Sequence, residues 1–353
     1  MNHAARLDEL RRSLDRPLLV SKPANLAYLT GFTGSLGYLM VRPGDRATFV
    51  TDGRYGELAE RLVAELSDTH LLVTTSGIWD ALGEALDVPE VGLEADSVTW
   101  EFVNSLRAET GAEPFVAGGA VEAMRRRKDE DEVTALSRAA DAGDAAFDVL
   151  GDLVAGANSE KELGWALIDV MRAHGGEAAG WEPIVASGPG ASIPHYRSGV
   201  RPVGRGLLLL DYGCVYDGYH SDMSRTVWLD GLPDDQLAEI YGVTLESQKA
   251  GIEAVGPGVP CGDVDEAVRS VLRAHGYEKH FLHSTGHGVG LEIHEAPAVR
   301  RGNTDPLQVG DVVTVEPGIY LPGVGGVRIE DMLLVVEDGP RVLTNSPKER
   351  LAA

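Results

Sequence analysis

Cysteine is nearly absent: Cys214 and Cys261 are the only two in 353 residues. That is too few for a disulfide framework, and they lack a CxxC spacing, which points to a reducing, cytoplasmic setting. Basic residues are also scarce. Against 55 acidic side chains stand 31 lysines and arginines, a formal charge of −24, which disfavours nucleic acid and anionic membranes and favours attraction of cations. No run is long and apolar enough to span a bilayer, and the opening MNHAARLDELRRSLDR is charged and amphipathic without an apolar leader segment. A soluble intracellular protein with no nucleic-acid or membrane partner is expected. One basic cluster, Arg125, Arg126, Arg127 and Lys128, runs straight into the acids Asp129 to Glu132 and reads as a charged helix entrance.

What is present is enough chain for a substantial core, divided in two. Over residues 1–122, short apolar runs (Leu18 to Val20, Tyr38 to Val41, Ala47 to Val50, His70 to Thr74, Val91 to Leu93) alternate with helical patterns such as Tyr55 to Leu66. That alternation predicts a small α/β domain, with Arg42 to Arg46 at a hairpin tip. A second domain, residues 123–353, opens on a helical stripe from Val133 to Val154, with Asp129 and Glu132 spaced as a capping box. It contains an internal echo. A helix pair ending Arg172-Ala173-His174-Gly175 returns about a hundred residues later, ending Arg273-Ala274-His275-Gly276. A histidine-bearing segment and a strand pair follow each, which predicts a pseudo-two-fold domain with its site between the halves.

The first strand pair is Leu207 to Leu229, LLLLDYGCVYDGYHSDMSRTVWL. Asp217-Gly218 has the chemistry of a two-residue hairpin turn, so Tyr216 should pair with Tyr219 and Asp211 should fall opposite Ser224. Asp211 and Asp222 then share a face as diagonal neighbours. In the second half Val312 to Glu316 and Val327 to Val336 flank a Gly/Pro-rich connection. If that connection is symmetric about Gly323, Glu316 lies opposite Glu330. Four carboxylates converging inside a protein require cations. Between them in sequence lies HSTGHGVGLEIHE, with His283, His287 and His294. An oxygen-rich set with one or two imidazoles suits two divalent ions, Mn2+, Co2+ or Zn2+, better than a thiolate zinc site. The chemistry expected of such a pair is hydrolysis.

With PHYRSG (194–199), LDYG (210–213), GYHSDMSRT (218–226), HSTGHGVGLEIHE (283–295), VEPGIY (315–320) and VRIED (327–331), the chain from about residue 124 onward resembles the pita-bread metallopeptidases. That family includes methionine aminopeptidase, Xaa-Pro aminopeptidase and prolidase. The resemblance implies an α+β pita-bread catalytic domain behind the α/β domain. It implies that Asp211 chelates one metal, that Asp222 and Glu330 bridge both, and that His287 and Glu316 hold the other. Glu316 would also shuttle the proton, His195 and His294 would flank the substrate, and His283 would support them. Arg328, on the Glu330 strand, would order the carboxylates.

Within that family the N-terminal domain, with YLTGFTGS (28–35) and TDGRY (51–55), resembles the shorter bacterial Xaa-Pro enzymes. A peptide with proline in second position is the implied substrate, and a homodimer the expected assembly. The dipeptidase (prolidase) reading is preferred over a Xaa-Pro aminopeptidase acting on longer peptides. A creatinase-like or non-catalytic member is the remote alternative. A strict dipeptidase needs a cation for the proline carboxylate. Many prolidases have an arginine just after the HE-x-P element, where this chain has Ala298, so Arg42, Arg46 and Arg54 are the replacement candidates.

Overall fold

The computed structural model describes residues 1–229 and 234–348, so the last residues of the expected second domain lie outside it. The chain divides into two compact units, Met1–Arg125 and Arg126–Ala353. The division falls between Arg125 and Arg126 rather than between 122 and 123. Arg125 belongs with the first unit because its guanidinium donates to the Asn25 side chain at 2.8 Å.

In the first unit a six-stranded sheet runs in the order Thr69–Thr74, Ala47–Asp52, Tyr38–Val41, Leu18–Val20, Glu90–Leu93, Glu113–Val116. Tyr38–Val41 pairs antiparallel with both its neighbours, and the other three pairings are parallel. The segment 42–46 joins two adjacent antiparallel strands, as its Pro and Gly suggest. The strand Glu113–Val116 was not legible in the sequence. It is a short edge strand containing Pro114, and Val116 is 80% exposed, so it carries no buried-strand signal.

The second unit opens on the helix Glu130–Asp148, where Asp129 and Glu132 make the expected capping box. Leu136, Ala140, Gly143 and Phe147 form its buried stripe. The basic cluster ahead of it does more than mark a helix entrance: Arg125, Arg126 and Lys128 are all buried. Arg126 is held by Asp311 and Asp305, at 2.8 and 2.7 Å. Helix Glu160–Ala173 follows, and the same order returns as Asp235–Ala254 and Cys261–Ala274.

The two strand pairs carry the registers expected of them. Tyr216 pairs with Tyr219 across a turn in which Asp217 and Gly218 have φ of 49° and 78°, the left-handed conformation that Asp-Gly tolerates. In the same register Asp211 faces Ser224. In the second half Gly318 faces Arg328, Leu321 faces Gly325 and Val315 faces Asp331, all symmetric about Gly323. One feature was not foreseen. Each ladder is interrupted where the acids sit, at Gly213/Asp222 and at Glu316/Glu330, which lie between the paired strands.

Released from their own hairpins, the backbone N–H groups at these breaks find other partners. Glu330 donates to the Ser224 carbonyl at 3.1 Å and Glu316 to the Thr285 carbonyl at 2.8 Å. Asp222 donates to the Met332 sulfur at 3.0 Å. The two hairpins are thereby sewn together, and buried backbone donors that would otherwise be costly are satisfied. Gly213 permits the approach, since a Cβ there would lie 1.9 Å from the Ser221 carbonyl oxygen. Behind the site Leu207, Leu209, Val313, Val315, Ile319, Val327 and Leu333 share one apolar core with the second helix pair. Among the described residues no helix is long and apolar enough to cross a membrane.

Candidate metal centre

A cavity of about 340 Å³ within the second unit is lined by His195, Asp211, Asp222, His283, His287, His294, Glu316, Arg328 and Glu330. All nine residues singled out in this part of the sequence thus meet in one place. Side-chain atoms of Asp222, His287 and Glu330 lie within 4.8 Å of one another, as one ion would require. Glu316 stands beside them, its Oε1 3.4 Å from His287 Nε2, while Asp222 Oδ2 is 3.5 Å from the same nitrogen. Asp211 is turned to Arg328, whose guanidinium donates to its Oδ2 at 2.5 Å.

The electrostatics ask for a cation. Asp222 and Glu330 are almost fully buried, and among the described residues Arg328 is the one guanidinium lining the cavity against four carboxylates. Burial first, and then the neighbouring Asp211, pushes Glu330 up to about 8. Burial and then Glu330 raise both Asp222 and Glu316 well above the ordinary carboxylate range. Ser224 donates to Glu330 Oε2 at 2.8 Å, but the buried Oε1 has no hydrogen-bond partner. A buried carboxylate oxygen without a donor is the arrangement a cation would satisfy. The donor set, carboxylates plus one imidazole, fits divalent ions.

The histidines differ in their commitments. His283 places Nδ1 2.9 Å from the Ser284 carbonyl and Nε2 2.8 Å from the Tyr320 hydroxyl, so both ring nitrogens are occupied. Burial, then Arg328, depresses it to about 3, which keeps the ring neutral. Burial, then His294, depresses His287 to about 4, as befits a nitrogen offering a lone pair. His195 and His294 are exposed at the cavity, and the His294 ring meets His287 edge to face at 4.2 Å between centroids.

A model of metallopeptidase family M24 matches residues 134–337, and one of the creatinase/prolidase N-terminal domain matches residues 6–127. The chain belongs to metallopeptidase family M24. Its second unit is the pita-bread catalytic domain of this metal-dependent peptidase family, and an α/β domain precedes it. The Xaa-Pro dipeptidase of Pyrococcus furiosus is 32% identical over 342 residues, 96% of each chain. Among solved structures, a Xaa-Pro dipeptidase from Bacillus anthracis matches with a TM-score of 0.94 at 34% identity, covering 100% of both chains. An X-Pro aminopeptidase from Thermotoga maritima matches at 0.85 and 31%, covering 96% of this chain and 97% of that one.

In this M24 peptidase two residues join the site that sequence reasoning assigned no part. Tyr320 accepts from Arg328 at 2.9 Å and bonds His283, so its hydroxyl links the guanidinium to the imidazole. Ser224 accepts from Arg328 Nε at 2.8 Å and donates to Glu330. Both stand within quoted motifs, VEPGIY and GYHSDMSRT, and that was their signal. The Arg328 guanidinium donates to both Asp211 and Ser224. In the first unit Arg42 donates to the Ala85 carbonyl at 2.6 Å, Arg54 pairs with Asp52 at 2.8 Å, and Arg46 is exposed.

Proposed function

We propose that the chain is a Xaa-Pro dipeptidase that binds two divalent ions, Mn2+, Co2+ or Zn2+, through Asp211, Asp222, His287, Glu316 and Glu330. The observation that carries the reading is the buried, partnerless Oε1 of Glu330 among four carboxylates. When bound, such a pair lowers the pKa of a water and polarises the carbonyl to be attacked. Glu316, its carboxyl raised by burial, is the group suited to take a proton at Oε2 and deliver it to the proline nitrogen as the imide bond breaks. His195 and His294, which line the same cavity, are assigned to donate to the carbonyl oxygen as charge develops there. His283, with both nitrogens engaged, acts by holding the Tyr320–Arg328 arrangement instead of touching substrate. A homodimer in the cytoplasm belongs to the same proposal, and two free, buried cysteines are in keeping with that compartment.

Selectivity for dipeptides requires a clamp for the proline carboxylate. Ala298 lines the cavity, Arg328 is committed to Asp211, and Arg301 is paired with Glu278 at 2.6 Å. We assign the clamp to Arg42, Arg46 or Arg54 of the N-terminal domain, from the same chain or a partner; Arg42 and Arg54 would have to leave the Ala85 carbonyl and Asp52 to serve. A charge-assisted contact is worth roughly 1.5–3 kcal/mol, about ten- to a hundredfold in kcat/KM. Alanine at the right arginine should raise KM for Ala-Pro by that factor and spare Ala-Pro-Ala. Three variants without a selective dipeptide defect would reject the clamp. Among the described residues no uncommitted guanidinium lines the cavity, which favours the second reading, a Xaa-Pro aminopeptidase, and efficient cleavage of Ala-Pro-Ala by the unmodified enzyme would establish it. A protein purified without metal and inert on both peptides would turn the assignment to a creatinase-like or non-catalytic member.

A further inference from the structure

We propose that Lys128 is a positioning residue for His294: it bolts Glu295, and through it the loop carrying His294, into the catalytic unit. The inference rests on the reading of His294 as a substrate-facing group. In sequence Lys128 is the last of a basic run ahead of the helix Glu130–Asp148. In the fold its side chain is 1% exposed, its backbone N–H donates to the Gly310 carbonyl at 2.9 Å, and its Nζ donates to Glu295 Oε1 at 2.6 Å. The Glu295 side chain is 7% exposed. A lysine so buried is tolerable only with its acid in place, so the pair fixes both ends firmly.

Glu295 begins the strand Glu295–Val299 and pairs with Gly288, just past a shift of register between His287 and Gly288. Residues 289–294 form the loop between them. The loop closes on itself: Gly290 N–H donates to the Glu292 carbonyl at 3.1 Å, and the Glu292 N–H lies 3.5 Å from Glu295 Oε2. Gly290 rests directly on the carboxylate, where a Cβ would lie 2.4 Å from Oε1. The carboxylate therefore fills the hollow of the loop, and Ile293 and His294 line the cavity. No hydrogen bond among the described residues fixes the His294 ring, so the loop backbone sets its place. Displacing a catalytic group by about 1 Å costs roughly a hundredfold in rate. What holds the loop thus acts on the rate through His294.

The test is a cycle of K128M, H294A and K128M/H294A in the full-length enzyme at saturating Mn2+, with Ala-Pro as substrate. K128M should lower kcat about ten- to a hundredfold with metal content unchanged, K128R should recover most of the rate, and K128M should cost nothing further in the H294A background. Because K128M leaves Glu295 buried without its cation, K128M/E295M is run beside it; removing both charges preserves folding. That pair variant should melt near the unmodified protein yet turn over as slowly as K128M. A K128M loss that multiplies with that of H294A, or a pair variant at full kcat, would overturn the proposal alone. Full activity in H294A would overturn the reading of His294, and the proposal with it.

Discussion

At the scale of single residues, Asp222 is the side chain whose environment is most one-sided. It is buried, faces Glu330 and Glu316, and has His287 at 3.5 Å. Asp222→Asn keeps the shape and removes a charge from the proposed ligand set. The expected outcome is loss of metal, read by elemental analysis, together with loss of Ala-Pro hydrolysis by at least about a hundredfold, since second-sphere changes alone cost ten- to a hundredfold. Normal metal content and turnover in that variant would refute the ligand set. Arg328 needs the opposite argument. It touches Asp211, Ser224 and Tyr320 at once, so its removal would free three side chains of the cavity together.

At the scale of elements, the sequence was legible where turn chemistry and pairing are local. Asp217-Gly218 set one register, and the symmetry about Gly323 set the other. The capping box at Asp129 was equally open to reading. What could not be read depends on elements meeting across long sequence separations. Lys128 finds Glu295 from 167 residues away and Ser224 finds Glu330 from 106, so neither leaves a periodic trace. The breaks in both ladders were invisible for the same reason, because a hairpin continuing through Gly213 and one interrupted there have the same turn and the same alternation. The arginines of the N-terminal domain are the extreme case, since a surface arginine and a clamp look alike in sequence.

At the scale of the molecule, the acid cluster links stability to pH and to metal. Glu330, held near 8 against an ordinary 4.5, binds its proton more tightly in the folded than in the unfolded chain. Without metal, stability is therefore greatest below the ordinary value and falls as pH rises toward 8. Below about 6.5 the buried, neutral His283 and His287 oppose this, since acid charges them only on unfolding. The carboxylates act alone between about 6.5 and 8. Thermal unfolding of the chelated protein should show Tm dropping across that window, and saturating Mn2+ should abolish the drop. A chelated protein whose Tm is flat or rises there would contradict the burial of an unneutralised cluster.

The stitch between Ser224 and Glu330 has a further consequence, in time. Asp211 and Asp222 belong to the first half of the repeat, and Glu316 and Glu330 to the second, so neither half holds the whole of the proposed ligand set until the two have docked. Metal capture then marks the closing event of assembly and not a seed for it. In refolding followed in parallel by far-ultraviolet circular dichroism and by Mn2+ uptake, the helical signal should return first and independently of metal concentration. Metal uptake should lag behind it, and raising Mn2+ should accelerate neither. If the ion instead templates the fold, helix recovery will quicken as the ion is added.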